Sequence, residues 1–164
     1  MLSENKHTIA DFFSARGFPL LSNLQIVNSF SPAVLIGDLA FVSSATPLRQ
    51  DGSEITGKIG DQIDISEAKE AACLCLAHSL SLLQLAVGEP LDGRLVRAVD
   101  LTFFMNAASD FGKQSEIADT ASNLLLDILG PNGAHSRSAL GAGSLVRGVS
   151  VVLKGLYQLR TPKI

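Results

Sequence analysis

The chain has 164 residues, 46% of them hydrophobic and 18% charged, which excludes an intrinsically disordered protein and fits one domain with a sizeable core. Its formal net charge of −3 gives no general attraction to nucleic acid or anionic membranes and leaves only a local basic site open to an anionic ligand. The mean hydropathy of +0.29 is high for a 17.3 kDa monomer, so surplus apolar surface is expected to meet further copies of the chain.

No apolar run is read as approaching the roughly 20 residues that cross a bilayer. The first residues, Met1 to Lys6, carry an acid and no apolar block follows, unlike a secretory leader. Cys73 and Cys75 stand two apart in a helical pattern, poorly placed for a mutual disulfide and too few for zinc. They are expected to be buried thiols in a reducing compartment, with the cytoplasm as the default.

In chain order, residues 4 to 16 predict a short helix with Ile9, Phe12 and Phe13 on one face and Leu2 placed to extend it; Gly17 and Pro19 stop it. Leu20 to Phe30 is mixed and reads as an irregular or extended arm. Residues 1–30 are thus an N-terminal helix and arm, ahead of a main body at 31–164, the whole being one structural domain. Ala33 to Ile36 and Leu39 to Ser44 flank Gly37-Asp38 as a hairpin would. Asp51-Gly52 marks a turn, and Gly57-Lys58-Ile59-Gly60 a glycine-punctuated loop.

A long helix follows, with Ser66 as the expected N-cap, Ile65 as the apolar residue before it and Glu67 at the positive helix end. Ala72, Leu76, Leu80, Leu83 and Val87 form its stripe, and Gly88 ends it. Leu95 to Met105 predicts a central strand, with Val96, Ala98, Asp100, Thr102 and Phe104 on one face. A second helix is expected from Asp110-Phe111 to about Leu129. Ser138 to Gly143 and Val149 to Leu159 complete the set as strands. The order β-β, helix, β, helix, β-β predicts an α+β fold: a mixed sheet with two helices packed on one face.

Three stretches, taken in order, resemble the RidA/YjgF family, which also carries the older label endoribonuclease L-PSP. They are Ser31 to Ser44; Asp51-Gly52 through Gly57-Lys58-Ile59-Gly60 with the Ala-rich helix; and Asp110-Phe111, the second helix and Ala134-His135-Ser136-Arg137-Ser138-Ala139-Leu140-Gly141. They span roughly residues 31 to 159, and the wording is closest to a longer branch with an N-terminal helix. The resemblance implies a chorismate-mutase-like fold of the bacillus type, assembled as a homotrimer with ligand clefts between subunits. In the well-studied branch the reaction is hydrolysis of 2-aminoacrylate-type enamines or imines to 2-keto acids and ammonia. It needs no metal or organic cofactor there.

Arg137 is the foremost candidate for catalysis and for holding a small carboxylate or keto-acid-like ligand. A guanidinium grips a carboxylate through two parallel hydrogen bonds, and small residues around it leave a groove open; an ordinary salt bridge is the alternative. Ser44 and Ala139 fall where the family offers backbone N–H groups, although Ser44 replaces a glycine there. Phe30 is placed to wall the cleft, with a core or interface role as the alternative. Asp119 falls near a ligand-side asparagine, where an acid would repel an anion unless turned away.

The last strand departs further. Val152 stands at the position of a glutamate that the resemblance links to a positioned water, and Lys154 replaces a second acid. Valine neither orients water nor transfers protons. Two other readings therefore stay beside the deaminase: a non-catalytic trimer binding a small anionic metabolite, and the ribonuclease of the older label. The latter finds no basic cluster or stacking platform in the chain. His135, two residues before Arg137, is placed on the same side as a proton donor or acceptor, whereas His7 and His78 show no partner pattern. Phe103 and Phe104 are expected in the core. Gly52, Gly57 and Gly60 lack phosphate-loop spacing, and Ser43 lacks a nucleophile-elbow setting.

Overall fold

The computed structural model describes residues 8–26 and 29–161. Leu2, His7, Val27 and Asn28 lie outside them, together with the expected first turn of the N-terminal helix.

Among the described residues, five strands and three α-helices make an α+β fold. The strands are β1 (Ala33–Ile36), β2 (Leu39–Val42), β3 (Leu95–Asn106), β4 (Ser136–Ala142) and β5 (Val151–Leu159), in the sheet order β1-β2-β5-β3-β4. All neighbours are antiparallel except β3 and β4, which run parallel and are joined through a helix. The β1–β2 hairpin closes at Gly37, whose φ of +62° is the left-handed geometry that such a turn demands.

Helix α1 (Ile9–Ala15) starts at Thr8, whose hydroxyl accepts the Asp11 N–H. Its Ile9, Phe12 and Phe13 join the common core. Helix α2 (Ile65–Val87) is capped two residues earlier than expected. Asp64, not Ser66, is the N-cap: its carboxylate accepts the Glu67 N–H at 2.9 Å, and Glu67 accepts the Asp64 N–H at 3.0 Å. The reciprocal pair satisfies two orphan donors where Ser66 would satisfy one. Gly88 ends the helix in the left-handed conformation, as its sequence position suggests.

Residues 71 to 83 of α2 are buried without a break. The sheet and α3 take part of that surface, and the arm lies along more of it: the Leu21 N–H donates to Ser81 Oγ at 2.8 Å. By length and composition α2 could cross a membrane, contrary to the sequence reading, but 72% of its most apolar window is buried inside the protein. The core consumes that apolarity. Cys73 and Cys75 are free, buried thiols, and burial pushes Cys73 up to about 12.

Helix α3 (Gln114–Leu129) starts later than expected, because Asp110 and Phe111 belong to a turn in which the Phe111 N–H bonds Ala108 O. Strand β4 starts earlier and takes in Arg137. Strand β5 starts later, because Val146–Gly148 forms a 3-10 turn and Ser150 bonds Ile55 O at 3.0 Å.

Two register shifts in β3 overturn its simple alternation. Ala98 is buried, as are Leu101, Phe103 and Met105, because the irregularity between Ala98 and Asp100 moves the side chains to the other face. Phe103 is therefore core. Phe104, paired with Val152 and Leu140, sits half-buried on the sheet's other face. That face stays open and apolar: Val34, Phe41 and Leu140 on it are 53%, 40% and 48% exposed.

Candidate functional site

The residues singled out in the sequence fall into two groups in the folded chain. Arg137 lies on β4 opposite Leu101 and turns to the helix side of the sheet. Its Nη1 is 2.8 Å from Asp119 Oδ1 and donates to Ser122 Oγ at 3.0 Å, both on α3. One nitrogen thus makes both contacts, and Nη2 and Nε have no partner among the described residues. Asp119 is turned onto Arg137, which settles its orientation.

His135 belongs to this group. Its Nε2 is 3.1 Å from Ser122 Oγ and its Nδ1 is 2.6 Å from Gly133 O. A carbonyl only accepts, so Nδ1 carries the proton and a neutral ring takes the Ser122 hydroxyl at Nε2. The Ser122 oxygen is then set to receive Arg137. A chain from Gly133 through His135 and Ser122 thereby fixes the guanidinium. Ala139 lies half-buried two residues on, along an edge strand paired only with β3, so its outer backbone edge is free of ladder bonds.

The second group surrounds a cavity of about 540 Å³ that includes Phe30, Ser44 and Val152 in its lining. Phe30, Ser44 and Val152 are thus brought together as a wall, with Val152 only 7% exposed. The arm contributes Leu24 and Ile26, so the N-terminal segment both covers α2 and closes this cavity. Lys154, opposite Thr102 on the open face, is exposed and has no ion pair among the described residues.

The same cavity holds a polar set that no sequence pattern disclosed: Thr46, Glu54, His78 and Arg147. Glu54 Oε1 accepts from Thr46 Oγ1 at 2.5 Å and from Arg147 Nη2 at 2.7 Å, and Oε2 accepts from Arg147 Nε at 2.9 Å. The Arg147 guanidinium beside it holds the Glu54 carboxyl below its ordinary range despite partial burial. Arg147 has φ +52°, a left-handed backbone that costs a residue with a Cβ on the order of 1 kcal/mol. The fork-on-carboxylate geometry offsets that cost. His78 is buried, with Nδ1 3.1 Å from both the Thr46 N and O, and burial lowers its pKa. The residues of this set are up to 101 positions apart in the chain, from Thr46 to Arg147, so only the fold unites them.

A larger hollow of about 760 Å³ opens between Gly60 and Gln114. It includes none of the sequence-derived candidates; its Lys58 is tied to Asn106 Oδ1 at 2.9 Å and to Gly143 O at 3.1 Å, and Asp61 and Asp110 face it. The smaller cavity is therefore the better site. Among the described residues no cluster of three His, Cys, Asp or Glu side chains could hold a metal.

Comparison with known proteins places this geometry. No protein-family model matches the chain. Protein TCP17 of Trypanosoma cruzi is 35% identical over 119 residues, covering 72% of this chain and 73% of that one. The structure is similar to that of Atu1372 from Agrobacterium tumefaciens, of unknown function, with a TM-score of 0.84 and 28% identity over 93% of this chain and 94% of the other. A candidate endoribonuclease from Shewanella oneidensis MR-1 shares the fold with a TM-score of 0.82 and 23% identity, over 93% and 100% of the two chains. YyfA from Yersinia pestis, a protein of unknown function in the Rid family, shares it at a TM-score of 0.55 and 17% identity, over 81% and 90%.

Proposed function

Because the chain belongs to the RidA/YjgF family, we propose that it hydrolyses small imine or enamine carboxylates to 2-keto acids and ammonia, in clefts between three copies of itself. The observation that carries this reading is the division of the candidate residues. Arg137 and Ala139 lie on the edge strand β4, with Arg137 turned to the helix side, while Phe30, Ser44 and Val152 line a cavity that includes neither of them. Neighbouring strands are roughly 4.8 Å apart, so even Val152 on β5 is about 10 Å from β4, and it lies on the sheet face opposite to Arg137; one small ligand does not reach both within a single copy.

A chorismate-mutase-like trimer closes that gap by setting the Arg137 edge of one copy against the cavity of the next. The open sheet face, with Val34, Phe41, Phe104 and Leu140, is the apolar surface such a trimer would bury. In the cleft, the free Nη2 and Nε edge of Arg137 takes the carboxylate, backbone N–H groups near Ala139 and Ser44 polarise the carbon–nitrogen bond, and Phe30 walls the ligand.

The test compares wild type with Arg137→Ala while 2-aminoacrylate is generated in place. The variant is expected to raise KM roughly 10- to 100-fold, the worth of a charge-assisted hydrogen-bond pair. Keto-acid formation no faster with wild type than without protein would sink the deaminase reading. Solution mass settles the trimer. One observation favours a second reading, a trimer that binds a small anionic metabolite without turning it over: Val152 leaves the cavity wall without an acid at that position. Arg137-dependent binding of pyruvate with no turnover would establish it.

A further inference from the structure

We infer that Glu54 orients the hydrolytic water in this chain, doing from a different segment what valine at position 152 cannot; the inference rests on the deaminase reading above. Glu54 and Val152 line the same cavity. The segment carrying Glu54 is stitched to the start of β5, with Ser150 N–H and Oγ both donating to Ile55 O at 3.0 Å and Thr56 bridging Val149. On its other side Leu48 bridges Glu54, just beyond the Ala45–Leu153 bridge. The carboxylate is thereby anchored beside the strand that carries Val152.

Its hydrogen bonds leave it one opening. A carboxylate has about four acceptor sites. Thr46 and Arg147 Nη2 fill both on Oε1, and Arg147 Nε fills one on Oε2. The remaining site on Oε2 can accept one hydrogen bond from water. Held from two directions, the group cannot swing away, so the water it accepts is fixed before the substrate arrives. Leu24, Ile26, Val146 and Val152 supply the apolar part of the lining, and His78, with Nδ1 occupied by Thr46, has no partner for Nε2 among the described residues.

The chemistry balances without any further reactant. The enamine tautomerises to an imine, and the Glu54-bound water attacks C2. Its oxygen forms the new C–O bond while one of its protons passes to nitrogen, giving a carbinolamine. The C–N bond then breaks, the hydroxyl proton goes to the departing nitrogen, and the products are the 2-keto acid and ammonia. Arg137 of one copy holds the carboxylate, and Glu54 of the next holds the water.

The experiment uses full-length wild type, Glu54→Gln, and Glu54→Gln combined with Val152→Glu, with 2-aminoacrylate generated in place and pyruvate binding measured by calorimetry. Glu54→Gln is expected to lower kcat on the order of 100-fold with KM changed by no more than about twofold, and to bind pyruvate as wild type does. Adding Val152→Glu restores a tenth or more of kcat, on the order of tenfold recovery. Wild-type kcat in Glu54→Gln overturns the inference and leaves the deaminase reading standing. Joint loss of turnover and pyruvate binding, unrecovered by Val152→Glu, also overturns it, since a merely structural ion pair would behave so. No turnover by wild type overturns both.

Discussion

Asp119 Oδ1 stands 2.8 Å from Nη1 of Arg137, so the cation expected to grip a ligand already carries a counter-ion. The pair is lopsided: the Arg137 side chain is 22% exposed and that of Asp119 is 59% exposed. Solvent screens such a pair heavily, and its worth to the fold is at most about 1 kcal/mol. Its effect on an incoming carboxylate is repulsive. Asp119→Asn keeps a hydrogen bond to the guanidinium and removes the charge, and should tighten pyruvate binding about two- to fivefold in calorimetry. Unchanged or weaker binding would mean that Asp119 positions Arg137 rather than competing with the ligand.

Gly155 and Tyr157 carry a packing prediction. A Cβ at Gly155 would lie 2.5 Å from Tyr157 Cε2 and 2.7 Å from its hydroxyl oxygen. The ring cannot give way, because Tyr157 is wholly buried and its hydroxyl is 2.9 Å from Ser79 Oγ on α2. Gly155→Ala should therefore cost about 1–3 kcal/mol as overpacking, seen as a lower urea midpoint at unchanged slope. A variant as stable as wild type would show that β5 shifts freely against α2, contrary to the contact geometry.

Much of this fold was legible because it rests on local rules. The Gly37 hairpin, the Gly88 helix end and the apolar stripe of α2 each follow from residues a few positions apart. Helix starts were less legible: Asp64 and Ser66 are both good caps, and only the reciprocal bond with Glu67 decides between them. The face pattern of β3 failed at a register shift, which single-residue alternation cannot reveal. Arg137 and its setting could be read from neighbouring small residues. Glu54 with Arg147 could not, since the partners are 93 positions apart and nothing in the Asp51 to Gly60 stretch points from Glu54 to a distant arginine.

Acid should unfold the protein through two groups in the same cavity. Burial holds the His78 pKa below its ordinary 6.5, and the Arg147 hydrogen bonds hold Glu54 below its ordinary 4.5. In both cases the unfolded chain binds a proton more readily than the folded one. Each group therefore contributes stability that is present above its unfolded value and lost as pH falls through the folded value. Urea midpoints measured from pH 8 down to pH 4 should begin to fall below 6.5 and fall faster below 4.5. His78→Asn, which keeps an acceptor for the Thr46 N–H, should remove the first part, and Glu54→Gln should flatten the second. Curves parallel to wild type in both variants would remove these groups from the acid response.

The shared cleft makes a prediction that no single-copy site can reproduce. If Arg137 acts from one copy and Glu54 from the next, Arg137→Ala and Glu54→Gln proteins carry complementary faults, the first in KM and the second in kcat. Unfolded together and refolded as mixed trimers, they place an intact Arg137 against an intact Glu54 in about one cleft in four by random assembly around a threefold axis. At substrate well below the wild-type KM the mixture should recover about a quarter of wild-type turnover, while each variant refolded alone should stay at about a tenth or less. Phe41→Glu, a charge on the open apolar face where Phe41 is 40% exposed, should abolish the recovery by preventing assembly, with its own monomeric mass as the control. A mixture no more active than its parts would place both residues in one copy's site or set one of them aside. Recovery that survives Phe41→Glu would move the interface to a different face of the sheet.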